Sequence, residues 1–243
     1  MADVRYPLIT PVGENAVLVE YEPEISIEVN RKVRQLAFAL ERDATAGLTE
    51  MIPAYRSLMA YFDPEQTSLE TIRAGIAQRA RHLRGIELPA PRLFVIPTVY
   101  GTSHGPDLER VAKTTGMTTD EVIELFSKQR YPVYCLGFLC CLAYMGGVPE
   151  RLRLPRLTTP RTWLPAGSVG FAEAQAVVLP IDQPSGFHYI GRTFVTMYDP
   201  SHSPPTPIRP GDLVECRRVS EEEARRWEKR SLGDCLVEPE AHG

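Results

Sequence analysis

Hydrophobic and polar residues follow two different periods along the first ninety residues. Residues 14–22, ENAVLVEYE, alternate as in a strand, and residues 26–42 place apolar side chains at helical spacing behind a possible N-cap, Ser26. The run MIPAYRSLMAYFDP predicts two short strands or one interrupted strand, and Ser68 begins a second amphipathic helix. With the strand RLFVIPTVY the order becomes β-α-β-β-α-β, which is the order of a ferredoxin-like domain. This last strand could instead open the next domain.

Short apolar runs separated by proline and glycine fill the chain from Tyr131 to about Val219. Such runs predict an all-β domain, either a sandwich or a closed barrel. Two short helical patterns precede them, and Thr118 with Glu121 forms a possible capping box there. A charged helix and a frayed tail follow them. The sequence is therefore divided into residues 1–90, 91–219 and 220–243.

The run YCLGFLCCLAYMGG belongs to an uncharged stretch, Tyr131 to Pro149, that is almost long enough to span a membrane. Its prolines, glycines and tyrosines favour a buried strand and loop instead. Cys140 and Cys141 could form a reactive or soft-metal pair, but their apolar neighbours favour packed, inert thiols. The five cysteines include no C-x-x-C pair and no secretory signal is apparent, so we expect a reduced, cytoplasmic protein.

Charge and motif content argue against several classes of function. A formal net charge of −4 gives no reason to expect nucleic acid or a membrane surface as partner. The sequence contains no nucleotide-binding, dinucleotide-binding, serine-hydrolase or zinc-protease motif, and its five histidines are scattered. We therefore expect no metal and no cofactor in this chain.

The segment PRLTTPRTWLPAGSVG carries the first candidate chemistry. Arg156 and Arg161 follow prolines, and Ala166, Gly167 and Ser168 offer consecutive backbone N–H groups beside a hydroxyl. Guanidinium groups and backbone donors together suit a carboxylate or a phosphate. The alternative is that the arginines pair with surface acids and that the AGS run is only a tight turn.

Two further segments place histidines near glycines. In QPSGFHYIGRT, His188 could be a general base, but strand alternation favours a solvent-facing position. In YGTSHGPDLERV, His104 and Asp107 share a loop, and Asp107 is favoured as the cap of the helix that follows. The candidate catalytic residues are His188, Ser168 and His104.

Taken in order, these segments carry a resemblance to a known family. The amino-terminal run GENAVLVEY, then VIPTVYGTSHGPDLERVAKTTG, YPVYCLGFLCCLAYMGGVPERLRLPRLTTPRTWLPAGSVGF and QPSGFHYIGRTFVTMYDP, resemble the family of the 5-oxoprolinase B subunit. That family includes the sporulation kinase inhibitor KipI and the first half of the carboxyltransferase domain of allophanate hydrolase and urea amidolyase. The match covers nearly the whole chain and stops near Val219.

The resemblance implies an α+β fold, with a ferredoxin-like α+β domain at 1–90 and a cyclophilin-like β-barrel at 91–219. It implies a partner of cyclophilin fold, the C-type subunit, with a homo-oligomer left open, and ATP supplied through partner subunits. It also implies a small carboxylate or amide substrate, which 5-oxoprolinase opens as a lactam. The candidate substrate-binding residues are Arg156, Arg161, Ala166, Gly167, Ser168, Tyr144 and Arg192.

Departures from the family pattern fall in the site region. The customary Pro-Gly turn is Cys140-Cys141, the usual SPGGW is QPSGF, and one customary glycine is Glu173. Because side chains replace glycines, we expect a pocket that is kept but reshaped. Three functions stay open: a component of an amide- or lactam-processing complex, a diverged stand-alone enzyme of secondary metabolism (a cyclase or hydrolase), and a KipI-like inhibitor of a kinase.

Overall fold

The computed structural model describes residues 5–43 and 45–237 and divides the chain into an N-terminal unit, Met1–Ala90, and a barrel unit, Pro91–Gly243. The first four residues and the end of the predicted tail, 238–243, lie outside the described residues. Each unit has an apolar core of its own.

The N-terminal unit packs two helices on a four-stranded antiparallel sheet. Both helices begin as predicted, because the Ser26 hydroxyl accepts a hydrogen bond from the Val29 N–H and the Ser68 hydroxyl accepts one from the Thr71 N–H. The elements are β1 (Leu8–Val12), β2 (Ala16–Glu20), α1 (Ile27–Arg42), β3 (Leu48–Pro53), β4 (Ser57–Phe62) and α2 (Leu69–Ala80).

The order of this sheet, β1-β2-β4-β3, decides between the two alternatives for the strand RLFVIPTVY. The strand RLFVIPTVY does not complete it, because Leu93–Tyr100 lies in the barrel unit. The position beside β2 is taken by β1, which was not predicted because its side chains are mostly exposed and it contains Pro11. With β1 at this edge, the sheet and its two helices keep the ferredoxin-like arrangement.

The barrel unit alternates strands with loops and three helices. Thr118 and Glu121 form the predicted capping box at the start of α4. The elements are β5 (Leu93–Tyr100), α3 (Leu108–Thr115), α4 (Thr119–Ser127), β6 (Tyr131–Gly137), β7 (Leu142–Met145), β8 (Arg161–Leu164), β9 (Ser168–Ala172), β10 (Gln175–Val178), β11 (Gln183–Ser185), β12 (His188–Arg192), β13 (Leu213–Arg218), α5 (Glu221–Arg225) and β14 (Leu236–Val237).

Seven strands close the barrel in the order β5-β12-β9-β10-β7-β6-β13, and β13 returns to lie parallel to β5. Outside the barrel wall, β8 and β11 form a separate two-stranded ribbon. The segment after residue 220, predicted as a charged helix and tail, also contributes β14, which pairs with the start of β5. The fold is thus a ferredoxin-like unit followed by a closed cyclophilin-like β-barrel.

Side chains along β7, β9, β10 and β12 alternate between two apolar clusters. The larger cluster draws on all seven strands, with Phe94 and Phe171 among its members, and is therefore the barrel interior. The smaller cluster contains Leu142, Val177 and Tyr189 and lies on the outer face of these four strands, beside the β8–β11 ribbon. Both faces of this part of the barrel wall are buried.

The run YCLGFLCCLAYMGG forms the end of β6, a turn and β7; the strands are largely buried as predicted, but the turn is not, since Phe138 and Leu139 are exposed. Within residues 5–43 and 45–237, no helix is long and apolar enough to cross a membrane. Over the same described residues, no group of three or more histidine, cysteine or acidic side chains is placed to hold a metal ion.

Candidate functional site

A cavity of about 240 Å³ lies on the outer face of the barrel, against the smaller apolar cluster and the β8–β11 ribbon. Leu142, Val177, Leu179 and Phe187 form its apolar wall, and Phe138 stands at 69% exposure beside it. A cavity of this size, with a mainly apolar wall and a few polar groups, suits a small molecule. It lies outside the barrel wall.

The polar lining of the cavity combines a cation with hydrogen-bonding groups. Arg156 is exposed and its guanidinium lies 4.9 Å from the centroid of the Phe187 ring. The Tyr189 hydroxyl donates to Ser185 Oγ at 2.8 Å. Gln183 is 4% exposed, and its Oε1 has no hydrogen-bond partner among the described residues. A buried acceptor of this kind is costly unless a ligand or water supplies a donor.

Two of the predicted substrate-binding residues, Arg156 and Tyr144, meet in this cavity. Burial raises the pKa of Tyr144, and Cys135 acts in the same direction while Arg156 opposes it. The phenol is therefore a neutral group at neutral pH. Gln183 was not predicted as a site residue; its one signal in the sequence is a polar side chain between the apolar run AVVLPI and a glycine turn.

Asp107 carries a buried ionic network that bears on two predictions. Its carboxylate is 1% exposed and accepts hydrogen bonds from both terminal nitrogens of Arg161, at 2.6 and 2.8 Å. It also accepts from Arg110 at 2.8 Å and from the Tyr189 N–H at 2.8 Å. Asp107 stands at the predicted N-cap position of α3, but its side chain makes no cap bond to the helix because its carboxylate is bound to the arginines. Arg161 neutralises this buried acid and does not line the cavity.

Opposing effects set the charge of this carboxylate. Burial of Asp107 raises its pKa, but the hydrogen bonds from Arg161, Arg110 and the Tyr189 N–H outweigh burial, so the pKa lies below the ordinary value of 3.8. Asp107 is consequently ionised at neutral pH and is paired with two guanidinium groups.

His188 is buried at 3% exposure, so the predicted solvent-facing position is wrong. The reason is that β12 is covered on both faces, and alternation therefore exposes neither set of its side chains. Its Nδ1 lies 2.7 Å from a terminal nitrogen of Arg110 and its Nε2 lies 2.7 Å from the Pro155 carbonyl oxygen. Burial lowers the pKa of His188, and the charge of Arg110 acts in the same direction. Both ring nitrogens have partners within the protein.

The AGS run is a tight turn whose backbone donors are already used, so its interpretation as an anion receptor is wrong. The N–H groups of Ala166, Gly167 and Ser168 donate to the Asp182 carboxylate, the Leu179 carbonyl and the Pro165 carbonyl. The Ser168 hydroxyl also donates to the Pro165 carbonyl, at 2.7 Å, and the residue is buried. None of the three lines the cavity.

His104 and Arg192 lie around the ring of Phe194 and do not line the cavity. The His104 ring meets Phe194 edge-on with centroids 5.6 Å apart, and its Nε2 lies 3.5 Å from a carboxylate oxygen of Glu221. Arg192 Nε donates to the Ala166 carbonyl at 3.0 Å. The predicted catalytic residues His188, Ser168 and His104 are therefore not brought together at one reacting centre.

Cys140 and Cys141 form the turn between β6 and β7, at the position where the family resemblance led us to expect a Pro-Gly turn. Both are half-buried and have positive φ, 46° and 58°, so this turn keeps a backbone that favours glycine. The packed position predicted for these two thiols is thus wrong. Phe138 belongs to the same turn and lines the cavity. The turn in which this sequence departs from the family pattern therefore forms part of the edge of the cavity.

Comparisons with known proteins agree with this architecture. The family model for the carboxyltransferase domain, subdomain C and D, matches residues 7–208. The B subunit of the Bacillus subtilis 5-oxoprolinase is 34% identical over 94% of this chain and 99% of its own length, and that of Escherichia coli O157:H7 is 35% identical over 84% and 92%. The urea amidolyase of Saccharomyces cerevisiae is more distant, at 25% identity over 13% of its length.

Solved structures give the same relationship. TTHA0988 superimposes with a TM-score of 0.72 at 33% identity, covering 84% of this chain and 40% of that one. A conserved protein of Pyrococcus horikoshii is 39% identical over 89% of this chain and 99% of its own, with a TM-score of 0.53. The Kluyveromyces lactis urea amidolyase shares the fold at 20% identity and a TM-score of 0.71. The chain therefore belongs to the family of 5-oxoprolinase B subunits, within the carboxyltransferase subdomain C and D proteins.

Proposed function

We propose that this chain is the B-type component of an ATP-dependent complex that opens a small lactam or amide, and that it binds a 5-oxoproline-like carboxylate in the cavity on the outer face of the barrel. The observation that carries the first part is the match at 34% identity over 99% of a 5-oxoprolinase B subunit. We assign ATP binding to partner subunits and take the partner to be a C-type subunit of cyclophilin fold.

The cavity lining supports a ligand with three chemical parts. The Arg156 guanidinium suits a carboxylate, and the apolar wall of Leu142, Val177 and Leu179 suits a small ring. The Gln183 side chain lines the cavity and its Oε1 has no partner among the described residues, so once its amide turns toward the cavity this oxygen suits an N–H donor, such as that of a lactam or amide. A five-membered lactam that bears a carboxylate has all three parts.

The three residues predicted to be catalytic have other roles in this proposal. His188 and Asp107 support the loop that carries Arg156, and Ser168 stabilises the turn before β9. His104 belongs to the separate arrangement around Phe194. The chemical step is assigned to the assembled complex, with this chain supplying substrate recognition.

The first test replaces the cation of the cavity. Arg156→Gln is expected to weaken 5-oxoproline binding by about 10- to 100-fold, because a charge-assisted hydrogen bond contributes roughly 1.5–3 kcal/mol. Arg156 is exposed, so the thermal unfolding midpoint is expected to stay within about 2 °C of the wild type. Isothermal titration of the full chain with 5-oxoproline, alone and with a partner of the C type, measures the change.

Arg151→Gln is the matched control, because this exposed arginine lies in the short turn after β7 and does not line the cavity. It should bind 5-oxoproline as the wild type does. Equal binding by Arg156→Gln and the wild type would contradict the assignment of the carboxylate to Arg156. Failure of the wild type to bind with and without the partner would contradict the proposed ligand.

A second test examines the acceptor Gln183. The wild type should bind 5-oxoproline at least about tenfold better than the corresponding lactone, because the lactone oxygen cannot donate to Oε1 and leaves the acceptor unpaired. Gln183→Leu should lose this preference, and Gln175→Leu, at the start of β10 and away from the cavity lining, should keep it. If Gln183→Leu still prefers 5-oxoproline over the lactone, the lactam N–H is bound by an acceptor other than Gln183.

A further inference from the structure

Residues 155–160 have no helix or strand, and with Arg161 they form a segment, here called the strap, that carries Arg156 to the cavity. The Leu157 N–H donates to the Gly186 carbonyl at 2.8 Å, and the guanidinium of Arg156 stacks on Phe187. In the part of the chain that the structure describes, one backbone hydrogen bond and one ring contact hold the middle of the strap, besides the packing of the half-buried Leu157. Its position must depend strongly on its two ends.

Each end of the strap is bonded to a buried side chain. At the start, the Pro155 carbonyl lies 2.7 Å from Nε2 of His188. At the other end, both terminal nitrogens of Arg161 bind Asp107. Arg110 joins the two anchors, since one terminal nitrogen lies 2.8 Å from the Asp107 carboxylate and 2.7 Å from Nδ1 of His188.

These partners fix the protonation of the imidazole. A guanidinium nitrogen can only donate, so Nδ1 of His188 must accept from Arg110. In the neutral ring the proton then resides on Nε2, which donates to the Pro155 carbonyl. A neutral His188 therefore satisfies both partners, and each ring nitrogen has a single assigned role.

We propose that His188 is a positioning residue, whose Nε2–H fixes the Pro155 carbonyl and thereby holds Arg156 in place to bind the ligand carboxylate. This inference deepens the proposed function and rests on it for the identity of the ligand. The contact between His188 and the strap itself is independent of any ligand. His188 acts through Pro155 and Arg156, which separates this role from that of a general base.

The surroundings of His188 favour its neutral form. The charged groups facing His188 are Arg110 on α3, Asp107 before it and Arg161 on β8. A second proton on the ring would place an Nδ1–H against the guanidinium of Arg110, and Asp107 is already shared by two arginines. Burial lowers the pKa of His188, so the neutral ring with both bonds is the form present at neutral pH, and a second proton would disturb the Arg110 contact while the Nε2–H still donates to Pro155.

Two substitutions separate the roles of the two ring nitrogens. His188→Gln keeps an N–H donor near the Nε2 position, and His188→Asn keeps an acceptor near Nδ1 but cannot reach the Pro155 carbonyl. We expect His188→Gln to bind 5-oxoproline within about threefold of the wild type, and His188→Asn to bind about tenfold more weakly, the factor expected for one lost hydrogen bond. Hydrogen exchange of the Leu157 amide should be about tenfold faster in His188→Asn alone.

The exchange measurement needs no ligand. It therefore tests whether His188 holds the strap in place even if 5-oxoproline proves to be the wrong ligand. Equal Leu157 exchange in the two variants would overturn the positioning role.

Discussion

Replacing Asp107 by alanine is expected to lower the free energy of unfolding of the barrel unit by about 3 kcal/mol. The carboxylate is 1% exposed and accepts four hydrogen bonds, from Arg161, Arg110 and the Tyr189 N–H. Its loss leaves the Tyr189 N–H buried without that acceptor. The two arginines are 31% and 45% exposed and can turn toward water. The expected destabilisation therefore lies near the lower end of the range for removing one partner of a buried ion pair. Urea unfolding followed by far-UV circular dichroism measures it.

Asp120→Ala is the matched control for this change. Asp120 also pairs with an arginine, Arg218, at 2.8 Å, but both side chains are largely exposed, so the loss should be below about 1 kcal/mol. Equal destabilisation by the two substitutions would show that the buried network contributes no more than a surface ion pair.

The same network predicts a dependence on pH with a definite sign. The folded-state pKa of Asp107 lies below its ordinary value of 3.8, so its contribution to stability is fully present above that value and is lost as the pH falls through the folded pKa. The difference in stability between the wild type and Asp107→Ala should therefore be constant from pH 7 to 5 and shrink below pH 4. A difference that grows on acidification would contradict the assignment.

Local sequence patterns were sufficient for elements whose determinants lie within a few residues. Ser26, Ser68 and Thr118 cap their helices because capping involves only the residue and its next three neighbours. The barrel strands were visible as short apolar runs for the same reason. By contrast, β1 is an exposed edge strand with little alternation, and the parallel pairing of Leu93 with Leu213 depends on residues far apart in the chain.

The candidate site was predictable only in part, because its polar groups are paired across long sequence separations. Arg156 and Tyr144 were identified and meet in the cavity. The sequence marked Asp107 and Arg161 separately, but it could not indicate that they bind each other. That pairing leaves Asp107 at the N-cap position without a side-chain cap bond, and it removes Arg161 as an anion receptor. The burial of His188 was missed because the groups around its ring, Phe171, Arg110 and the Pro155 carbonyl, come from distant parts of the chain.

Gly167→Ala is the second substitution for which we expect a large effect. It tests whether Gly167 is needed for the fold or for ligand binding. Gly167 has a φ of +80°, its N–H donates to the Leu179 carbonyl, and its own carbonyl accepts from the Thr193 N–H. A Cβ at this position would overlap the Thr193 carbonyl oxygen, so two backbone segments would have to separate. The strained φ and the overlap together are expected to lower the free energy of unfolding by about 3 kcal/mol or more. Thermal and urea unfolding measure this change.

Gly116→Ala supplies the comparison that isolates the overlap. Gly116 also has a positive φ, +67°, at the end of α3, but a Cβ there would meet no atom within 4 Å. Gly116→Ala should therefore lower the free energy of unfolding by only about 1 kcal/mol, the usual cost of the left-handed backbone conformation for alanine. If Gly167→Ala were as stable as Gly116→Ala and lost only 5-oxoproline binding, the ligand-binding role first predicted for Gly167 would be restored. If it unfolds the barrel unit, the glycine is required because two strand ends approach each other through it, and the same requirement explains why the AGS turn has no free N–H group to offer an anion.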